Sequence, residues 1–272
     1  MAVVLKDLFG TSKPIIALLH LRALPVTPSF KRDVGDFKEI IAIAKRELND
    51  LQRGGVDAIL FSNEFDFPYV NPVDNVTVAI MARIIGELYN DIKIPFGVNV
   101  ISGTIPLMDL AKATEAQFVR GHIHGAWAGE RGIVSNNFGP ISRHMMYLGI
   151  EDLPVFTSIN EEGAKPLVDR PLSDIIHSLK FNFDPAGLCV SGLSAGHECD
   201  TSMVEEAKQY AGDTPVMCNT GCNLQNIPKQ LPVADGGFVG TTFKKDGKFW
   251  GQVDYDRVKE FMDLVKSIRG GA

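Results

Sequence analysis

Two stretches near the end of the chain decide its fold: Pro215-Val216-Met217-Cys218-Asn219-Thr220-Gly221-Cys222 and Asp235-Gly236-Gly237-Phe238-Val239-Gly240-Thr241-Thr242. Each is a short apolar run that ends at a glycine beside a small hydroxyl or amide residue, and each leads into a polar segment. This pattern predicts two successive strand-to-helix turns. Glycine at such a turn lets an anion approach the backbone, and the positive end of a following helix adds to the attraction.

The place of these turns in the chain indicates which strands they follow. Loops after strands 7 and 8 of a (β/α)8 barrel often bind phosphate, so we interpret the two stretches as the last strands of such a barrel. A third turn, Ser191-Gly192, follows the apolar run before them. We therefore predict a phosphate site, and the alternative is a set of tight turns without a ligand. The predicted phosphate-binding residues are Ser191, Gly192, Thr220, Gly221, Gly240 and Thr241.

Eight apolar runs alternate with segments of helical periodicity along the chain. The predicted strands are 13–19, 58–62, 95–100, 117–123, 154–159, 187–190, 215–219 and 236–239. The predicted helices are 37–51, 76–89, 106–113, 141–148, 173–179, 202–210, 223–230 and a last helix capped by Asp254. Continuously apolar strands are typical of a parallel sheet that is covered on both faces. We predict an α/β fold, a (β/α)8 TIM barrel in which 1–272 form a single domain and 126–140 an irregular loop.

Composition excludes several classes of protein. The 272 residues are 45 % hydrophobic, which is enough for a large core. The net charge is −6 and no basic block occurs, so a nucleic-acid partner is not expected. The longest apolar run is far shorter than the roughly 20 residues of a membrane span, and no basic segment leads into a long apolar one at the start. The four cysteines form no CxxC pair, so we expect reduced thiols and a cytoplasmic location. We separately expect a homo-oligomer.

Polar side chains follow the predicted strands, at the end of the barrel where the active sites of such folds lie. We predict that Arg120, His122, Asn160 and Asn219 bind substrate, together with the turns described above. The alternative is that asparagine and serine at strand ends only form turns. The polar residues at the strand ends are His20, Glu64, Asn99, His122, His124, Asn160, Ser191 and Asn219.

Glu64 is the predicted general acid or base. It follows an apolar strand and lies between the phenylalanines 61, 65 and 67, and apolar surroundings raise the pKa of a carboxyl group. We expect Asn63 and Asn99 to orient it by hydrogen bonds, and His20 or His124 with Asn99 to polarise substrate oxygens. The alternative is an exposed glutamate in a loop.

Arg120, His122 and His124 alternate along one predicted strand, so their side chains point the same way. Histidines at positions i and i+2 of a strand resemble part of a metal site, but a pair of ligands does not complete such a site. We predict no metal cofactor, and we favour hydrogen bonding or proton relay for the pair. Lysine is nearly absent from the predicted strand ends, since Lys13 precedes the first strand and Lys165 and Lys244 are assigned to loops. The sequence therefore does not support a buried lysine that forms a Schiff base.

Long motifs along nearly the whole chain resemble the BtpA/SgcQ family, and more closely its SgcQ branch. They are HLRALP at 20–25, FSNEFDFPY at 61–69, PFGVNV at 95–100, CVSGLSAG at 189–196, NTGCNLQN at 219–226 and ADGGFVGTTFKKDG with VDYDRVKEFM at 234–262. The motif positions of the family fall on His20, Glu64, Asn99, Arg120, Ser191, Gly192, Thr220, Gly221, Gly240 and Thr241. The chain departs from the family pattern at 158–162, where BtpA-like members tend to have a Lys-His element, and at 219–223.

The resemblance implies a TIM barrel and a phosphorylated sugar as ligand. Together with the residues it suggests an enzyme that transfers a proton next to a carbonyl group, as an isomerase, an epimerase or a retro-aldol lyase. The alternative from a different class is a non-catalytic barrel of the BtpA type, which binds a sugar phosphate or acts in assembly or regulation. A carboxyl group with a raised pKa at the barrel mouth favours the enzyme.

Overall fold

Eight parallel strands close into a barrel in the computed structural model, which describes residues 5–192, 199 and 201–270. Around the barrel the order is β1-β2-β3-β4-β7-β9-β10-β11, and β11 pairs with β1. The predicted TIM barrel is confirmed. The strands are β1 (Ile15–His20), β2 (Ala58–Ser62), β3 (Phe96–Asn99), β4 (Phe118–Gly121), β5 (Gly125–Gly129), β6 (Gly132–Asn136), β7 (Val155–Ser158), β8 (Ala164–Pro166), β9 (Gly187–Val190), β10 (Val216–Cys218) and β11 (Gly237–Val239).

Helices connect successive barrel strands and cover the outside of the barrel. The helices are α1 (Leu5–Phe9), α2 (Phe30–Asp33), α3 (Phe37–Gly54), α4 (Asn75–Leu88), α5 (Thr104–Thr114), α6 (Phe138–Leu148), α7 (Leu172–Asn182), α8 (Thr201–Ala211), α9 (Ile227–Val233) and α10 (Tyr255–Gly270). The Asp36 side chain caps α3 by accepting from the N–H of Lys38, and Gly55 ends that helix in the left-handed region. Of the helices in the described ranges, none is both long and apolar enough to cross a membrane.

Large rings fill the inside of the barrel below its mouth. Phe118, Phe156 and Phe238 are buried there, and Phe9 of α1 contacts Phe118 from the opposite end with ring centres 5.2 Å apart. Gly97 on the strand beside Phe118 makes room for that ring, because a Cβ there would lie 2.5 Å from it. The rings form a packed floor beneath the carboxyl ends of the strands, the end of the barrel where the active sites of this fold lie.

The prediction of an irregular loop at 126–140 is wrong. β5 and β6 form an antiparallel hairpin within this segment, and β8 adds a third antiparallel strand beside β5. The hairpin brings the buried side chains of Trp127 and Val134 opposite each other, which gives this small sheet an apolar face. The α6 helix also begins three residues earlier than predicted, at Phe138, because the side chain of Asn137 caps it.

Candidate active site at the barrel mouth

Two adjoining cavities open at the carboxyl ends of the barrel strands. Cavity A has a volume of about 250 Å³ and cavity B about 270 Å³, and both are lined by Glu64, Arg120, Glu162 and Asn219. All the predicted site residues except Gly192 and His124 line one or both. Cavity A also has His20, Thr220, Gly221, Gly240, Thr241 and Arg257 in its wall, and cavity B has Tyr69, Asn99, His122, Arg131, Asn160 and Ser191.

Arg120 lies where the two cavities meet. Its guanidinium donates to Asn219 Oδ1 at 2.9 Å and lies 5.4 Å from the centre of the Phe238 ring on the floor. Asn219 in turn donates to Ser191 Oγ at 2.7 Å. Asn160 exchanges two hydrogen bonds with the backbone of Ser191, at 2.7 and 2.9 Å. The side-chain amides of Asn160 and Asn219 therefore hold the strand ends in place around the Arg120 guanidinium by hydrogen bonds, and they also line the site.

Glu64 is oriented by a relay rather than by direct contact with the two predicted asparagines. Ser62 Oγ donates to its carboxylate at 3.1 Å, and Asn99 Nδ2 donates to Ser62 Oγ at 3.1 Å. The Asn63 side chain instead donates to Asp66 and accepts from the N–H of Ile101. The expected direct contacts of Asn63 and Asn99 with Glu64 are wrong. Asn63 follows Ser62 directly, so its side chain points to the opposite face, and Asn99 reaches Glu64 only through the Ser62 hydroxyl.

The three phenylalanines expected around Glu64 lie in different surroundings. Phe61 packs outside the barrel against Phe96, and Phe65 contacts the rings of His20 and Trp250. Phe67 lines cavity B together with Glu64. The nearby groups with identified interactions are mainly polar, namely Ser62, Glu162 and Tyr69, whose hydroxyl donates to the Glu64 carbonyl at 2.8 Å.

Glu162 is a carboxyl group of this site that the sequence interpretation missed. Burial raises its pKa to about 7, and the negative charge of Glu64 adds to the rise. Arg120 and a hydrogen bond from the Thr220 side chain oppose the rise. The signal for it in the sequence is a pair of glutamates, Glu161 and Glu162, that follows Asn160 after the fifth barrel strand. This carboxyl can hold and release a proton near neutral pH.

His20 ends β1 beside a buried lysine. Lys244 is 1 % exposed, and its Nζ lies 2.7 Å from His20 Nδ1 and 2.6 Å from the carbonyl oxygen of Phe249. Burial lowers the pKa of Lys244 to about 8, and burial with the charges of Lys244 and Arg120 holds the pKa of His20 well below its usual value. The sequence interpretation put Lys244 in a loop without a role, and that placement missed its burial against the site.

The predicted phosphate turns separate into two groups. Thr220, Gly221, Gly240 and Thr241 line cavity A, whereas Ser191 lines cavity B. The N–H of Gly192 donates to Thr220 Oγ1 at 2.8 Å, so it is not available to an anion. The following part of that motif, 193–196, lies outside the described residues.

Two backbone donors and one further cation complete the wall of cavity A. Within the described part of the chain, the N–H groups of Gly221 and Thr241 have no acceptor. Gly221 has φ +73°, a conformation that favours glycine. Arg257, near the start of α10, lines the same cavity and is held by a 2.9 Å hydrogen bond from its Nε to the Thr242 carbonyl. Backbone N–H groups that have no acceptor among the described residues, beside an arginine, are suited to phosphate oxygens.

His122 and His124 do not converge on a shared point. Their rings stack 4.7 Å apart, and the Nε2 atoms hydrogen-bond separate carbonyls, those of His124 and Ser158. Burial lowers the pKa of His122 to about 4 and that of His124 to about 3, so both are neutral at pH 7. Over the described ranges, no group of three or more His, Cys, Asp or Glu residues is arranged to hold a metal ion. The buried His124, predicted to be catalytic, bonds the backbone rather than lining either cavity.

The β5–β6 hairpin contributes Arg131 to cavity B. Its guanidinium donates to Ser102 Oγ at 3.0 Å and forms an ion pair with Glu161. Burial raises the pKa of Glu161, and Arg131 opposes that rise. Glu161 Oε2 also lies 3.1 Å from His122 Nδ1. Cavity B is thus lined by paired charges, hydroxyls and amides, a surface that matches the hydroxyl groups of a polar ligand.

Comparison with known proteins gives relatives over the whole length of the chain. The sequence model of the BtpA family matches residues 11–267. The sgc region protein SgcQ of Escherichia coli K12 is 45 % identical over 97 % of this chain and 98 % of its own length. The photosystem I biogenesis protein BtpA of Synechocystis is 27 % identical over 94 % of this chain and 89 % of its own.

Solved structures share the barrel at low sequence identity. Phosphoribosyl anthranilate isomerase from Thermus thermophilus superposes with a TM-score of 0.58 at 8 % identity, covering 94 % of this chain and 99 % of that one. The N-acetylmannosamine-6-phosphate 2-epimerase from Clostridium perfringens superposes with a TM-score of 0.52 at 16 % sequence identity. The match covers 94 % of this chain and 95 % of the epimerase chain. These likenesses establish the fold.

Proposed function

This chain belongs to the BtpA family, and from that membership and the geometry of its barrel mouth we propose that it catalyses proton transfer next to the carbonyl group of a phosphorylated sugar. The observation that carries the proposal is Glu162, whose pKa of about 7 suits an acid or base at neutral pH. It lines both cavities together with Glu64 and Arg120. An isomerase, an epimerase and a retro-aldol lyase all use groups of this kind.

Cavity A is the proposed phosphate subsite. The backbone N–H groups of Gly221 and Thr241 and the guanidinium of Arg257 would bind the phosphate oxygens and fix the position of the sugar. Two barrel enzymes of the same fold act, by their names, on phosphorylated compounds, a 6-phosphate sugar and a phosphoribosyl compound. Their names support the ligand class proposed for this site.

Cavity B is the proposed site for the hydroxyl-bearing end of the sugar. Asn99, Asn160, Arg131 and His122 line it, and sugar hydroxyls form hydrogen bonds with such groups. The reacting carbon would lie between the cavities, where Glu64 removes a proton as base and Glu162 supplies one as acid. Arg120, at the same boundary, would stabilise the negative charge that develops on the carbonyl oxygen.

The test is solvent exchange on a panel of substrates. We would incubate the protein with phosphorylated ketoses and aldoses in deuterated water and follow loss of carbon-bound proton signals by proton NMR. We expect exchange with at least one member and a loss of about 10²–10⁴-fold in Glu162→Gln. Glu87→Gln, on the exposed face of α4, is the matched control and should exchange like the parent.

The non-catalytic alternative is supported by the name of one relative, a photosystem I biogenesis protein. It predicts that a sugar phosphate binds in cavity A but exchanges no proton and gives no product. Binding of panel members by calorimetry, with no exchange for any of them, would favour this binder over the enzyme.

A further inference from the structure

His20 and Lys244 form a buried pair at the end of β1 that the proton transfer proposed above does not use. His20 is 4 % exposed and Lys244 is 1 % exposed, although they lie 224 residues apart in the chain. Lysine Nζ approaches Nδ1 of the imidazole at 2.7 Å and also donates to the Phe249 carbonyl. The rings of Phe65 and Phe249 lie 4.4 and 4.9 Å from Nζ, which favours the charged ammonium.

The contact determines which nitrogen of His20 carries the proton. An ammonium group has three donors and no acceptor, so Nδ1 of His20 must accept the hydrogen bond. A neutral imidazole that accepts at Nδ1 carries its proton on Nε2. Burial and the charge of Lys244 both disfavour a second proton on the ring. His20 is therefore a neutral side chain with a single donor, the Nε2–H group.

That donor is buried and has no acceptor among the residues that the structure describes. A buried donor without a partner costs about 1–3 kcal/mol. The backbone of Gly240 lies next to His20 Nε2: a Cβ at position 240 would be only 2.9 Å from that nitrogen. Both residues line cavity A beside the proposed phosphate turn. The imidazole is thus an unmatched donor at the wall of a cavity suited to anions.

We propose that Lys244 is a positioning residue that holds His20 as the Nε2–H tautomer, and that this N–H donates to an oxygen of the ligand bound in cavity A. The identity of the ligand as a phosphorylated sugar depends on the proposed function, whereas the tautomer does not. A fixed donor of this kind stabilises negative charge on a ligand oxygen without reorganisation. The lysine acts only through the histidine, since it does not line the cavity itself.

The tautomer can be read directly in the free protein. Two-bond proton–nitrogen correlation spectra of ¹⁵N-histidine-labelled protein at pH 7 distinguish protonated from unprotonated ring nitrogens, and His20→Gln identifies the signals. We expect a protonated Nε2 and an unprotonated Nδ1. The opposite tautomer, an imidazolium or a mixture of tautomers would overturn the proposal, and this measurement needs no variant of Lys244.

Variants then test the role of the lysine. Lys244→Met removes the donor at similar length and should give a mixture of tautomers, whereas Lys244→Arg should restore one tautomer. Lys13→Met is the matched control, because Lys13 is a half-buried lysine that hydrogen-bonds carbonyls at the opposite end of the barrel. A His20 tautomer that is unchanged in folded Lys244→Met would show that the lysine does not set it.

Inorganic phosphate is the probe for the ligand contact. Phosphate should shift the His20 Nε2–H signal in a saturable way in the parent and not in Arg257→Met. Calorimetric binding of phosphate without movement of that signal would overturn the contact. Absence of phosphate binding would overturn the contact together with the proposed phosphate subsite, while the free-protein spectrum still decides the tautomer. With a substrate from the panel, Lys244→Met should lower kcat by about 10²-fold, with KM little changed.

Discussion

Thr220 Oγ1 lies 2.8 Å from the backbone nitrogen of Gly192 and accepts its hydrogen bond, which joins the ends of β9 and β10. The same side chain hydrogen-bonds Glu162, and this interaction opposes the rise in the pKa of that carboxyl group. Thr220 therefore connects the turn of one strand to the carboxyl proposed to transfer the proton. The hydroxyl, rather than an anion, satisfies the Gly192 N–H.

Replacing Thr220 tests this connection. Thr220→Val removes the acceptor of the Gly192 N–H and should lower the free energy of unfolding by about 0.5–1.5 kcal/mol, the net contribution of a partly buried hydrogen bond. Thr220→Ser keeps the hydroxyl, so its free energy of unfolding should fall less than that of Thr220→Val. Urea unfolding followed by circular dichroism measures both, and equal stability of the two variants would contradict the role of the hydroxyl.

Glu64→Gln should reduce turnover by about 10²–10⁴-fold while ligand affinity changes little. Glutamine keeps the shape and the hydrogen bond from Ser62, but it cannot take up a proton. Steady-state kinetics with a substrate from the panel, together with calorimetric binding, separate the two effects. If affinity and turnover fall together, Glu64 is a binding contact instead of the base.

Arg257→Met should weaken binding of phosphate or sulfate in cavity A without unfolding the protein. The guanidinium is held at the cavity by the Thr242 carbonyl, and methionine removes the cation while keeping an apolar stem. Calorimetric titration with phosphate measures the change. Arg83→Met, which removes an exposed arginine that lies over the Phe37 ring, is the control and should bind phosphate like the parent.

A side chain at Gly221 should have the same effect on anion binding. Gly221→Ala places a methyl group at φ +73°, where an L-residue is strained, and should shift the backbone N–H of a residue that lines cavity A. Gly149→Ala is the matched control, because Gly149 has φ +64° and ends α6 with open space around it. Both variants should lose stability, and phosphate binding that survives equally in both would contradict the subsite.

His124 should make the protein less stable in acid. Its pKa of about 3 in the folded protein is below the usual 6.5, so the unfolded chain binds more protons at this residue. The contribution is complete above pH 6.5 and is lost as the pH falls toward 3, at about 1.4 kcal/mol per pH unit for one proton. In His124→Gln the unfolding free energy should fall less steeply between pH 6 and pH 4. Identical slopes for parent and variant would contradict the neutral, buried histidine.

Protein purified without chelator should contain no stoichiometric metal. His122 and His124 hydrogen-bond two different carbonyls through Nε2, so their rings do not offer these atoms to one ion. Elemental analysis for zinc, manganese and iron checks the prediction. Near-stoichiometric metal that disappears in His124→Ala would show that the pair binds a metal.

The sequence predicted the site residues that end barrel strands better than the site residues that lie in other segments. Glu64, Asn99 and Arg120 were found because an apolar run leads directly to each of them. Arg257 and Lys244 were missed because they lie beyond the turn that follows the last strand, where no strand end marks them. Lys244 reaches His20 only because the chain returns to the first strand when the barrel closes, over a separation of 224 residues.

The sequence by itself determined the barrel and the ring of polar residues at its mouth. Apolar runs of strand length separated by helical periodicity specify parallel strands with covering helices, and the closed arrangement brings their carboxyl ends together. The tertiary structure alone decided the chemistry within that ring. Hydrogen bonds occupy Gly192 and Asn160, and burial raises the pKa of Glu162. Burial also leaves His20 Nε2 without a hydrogen-bond partner among the described residues. Each of these depends on distances and on exclusion of water by residues remote in the chain, and such distances do not follow from local spacing.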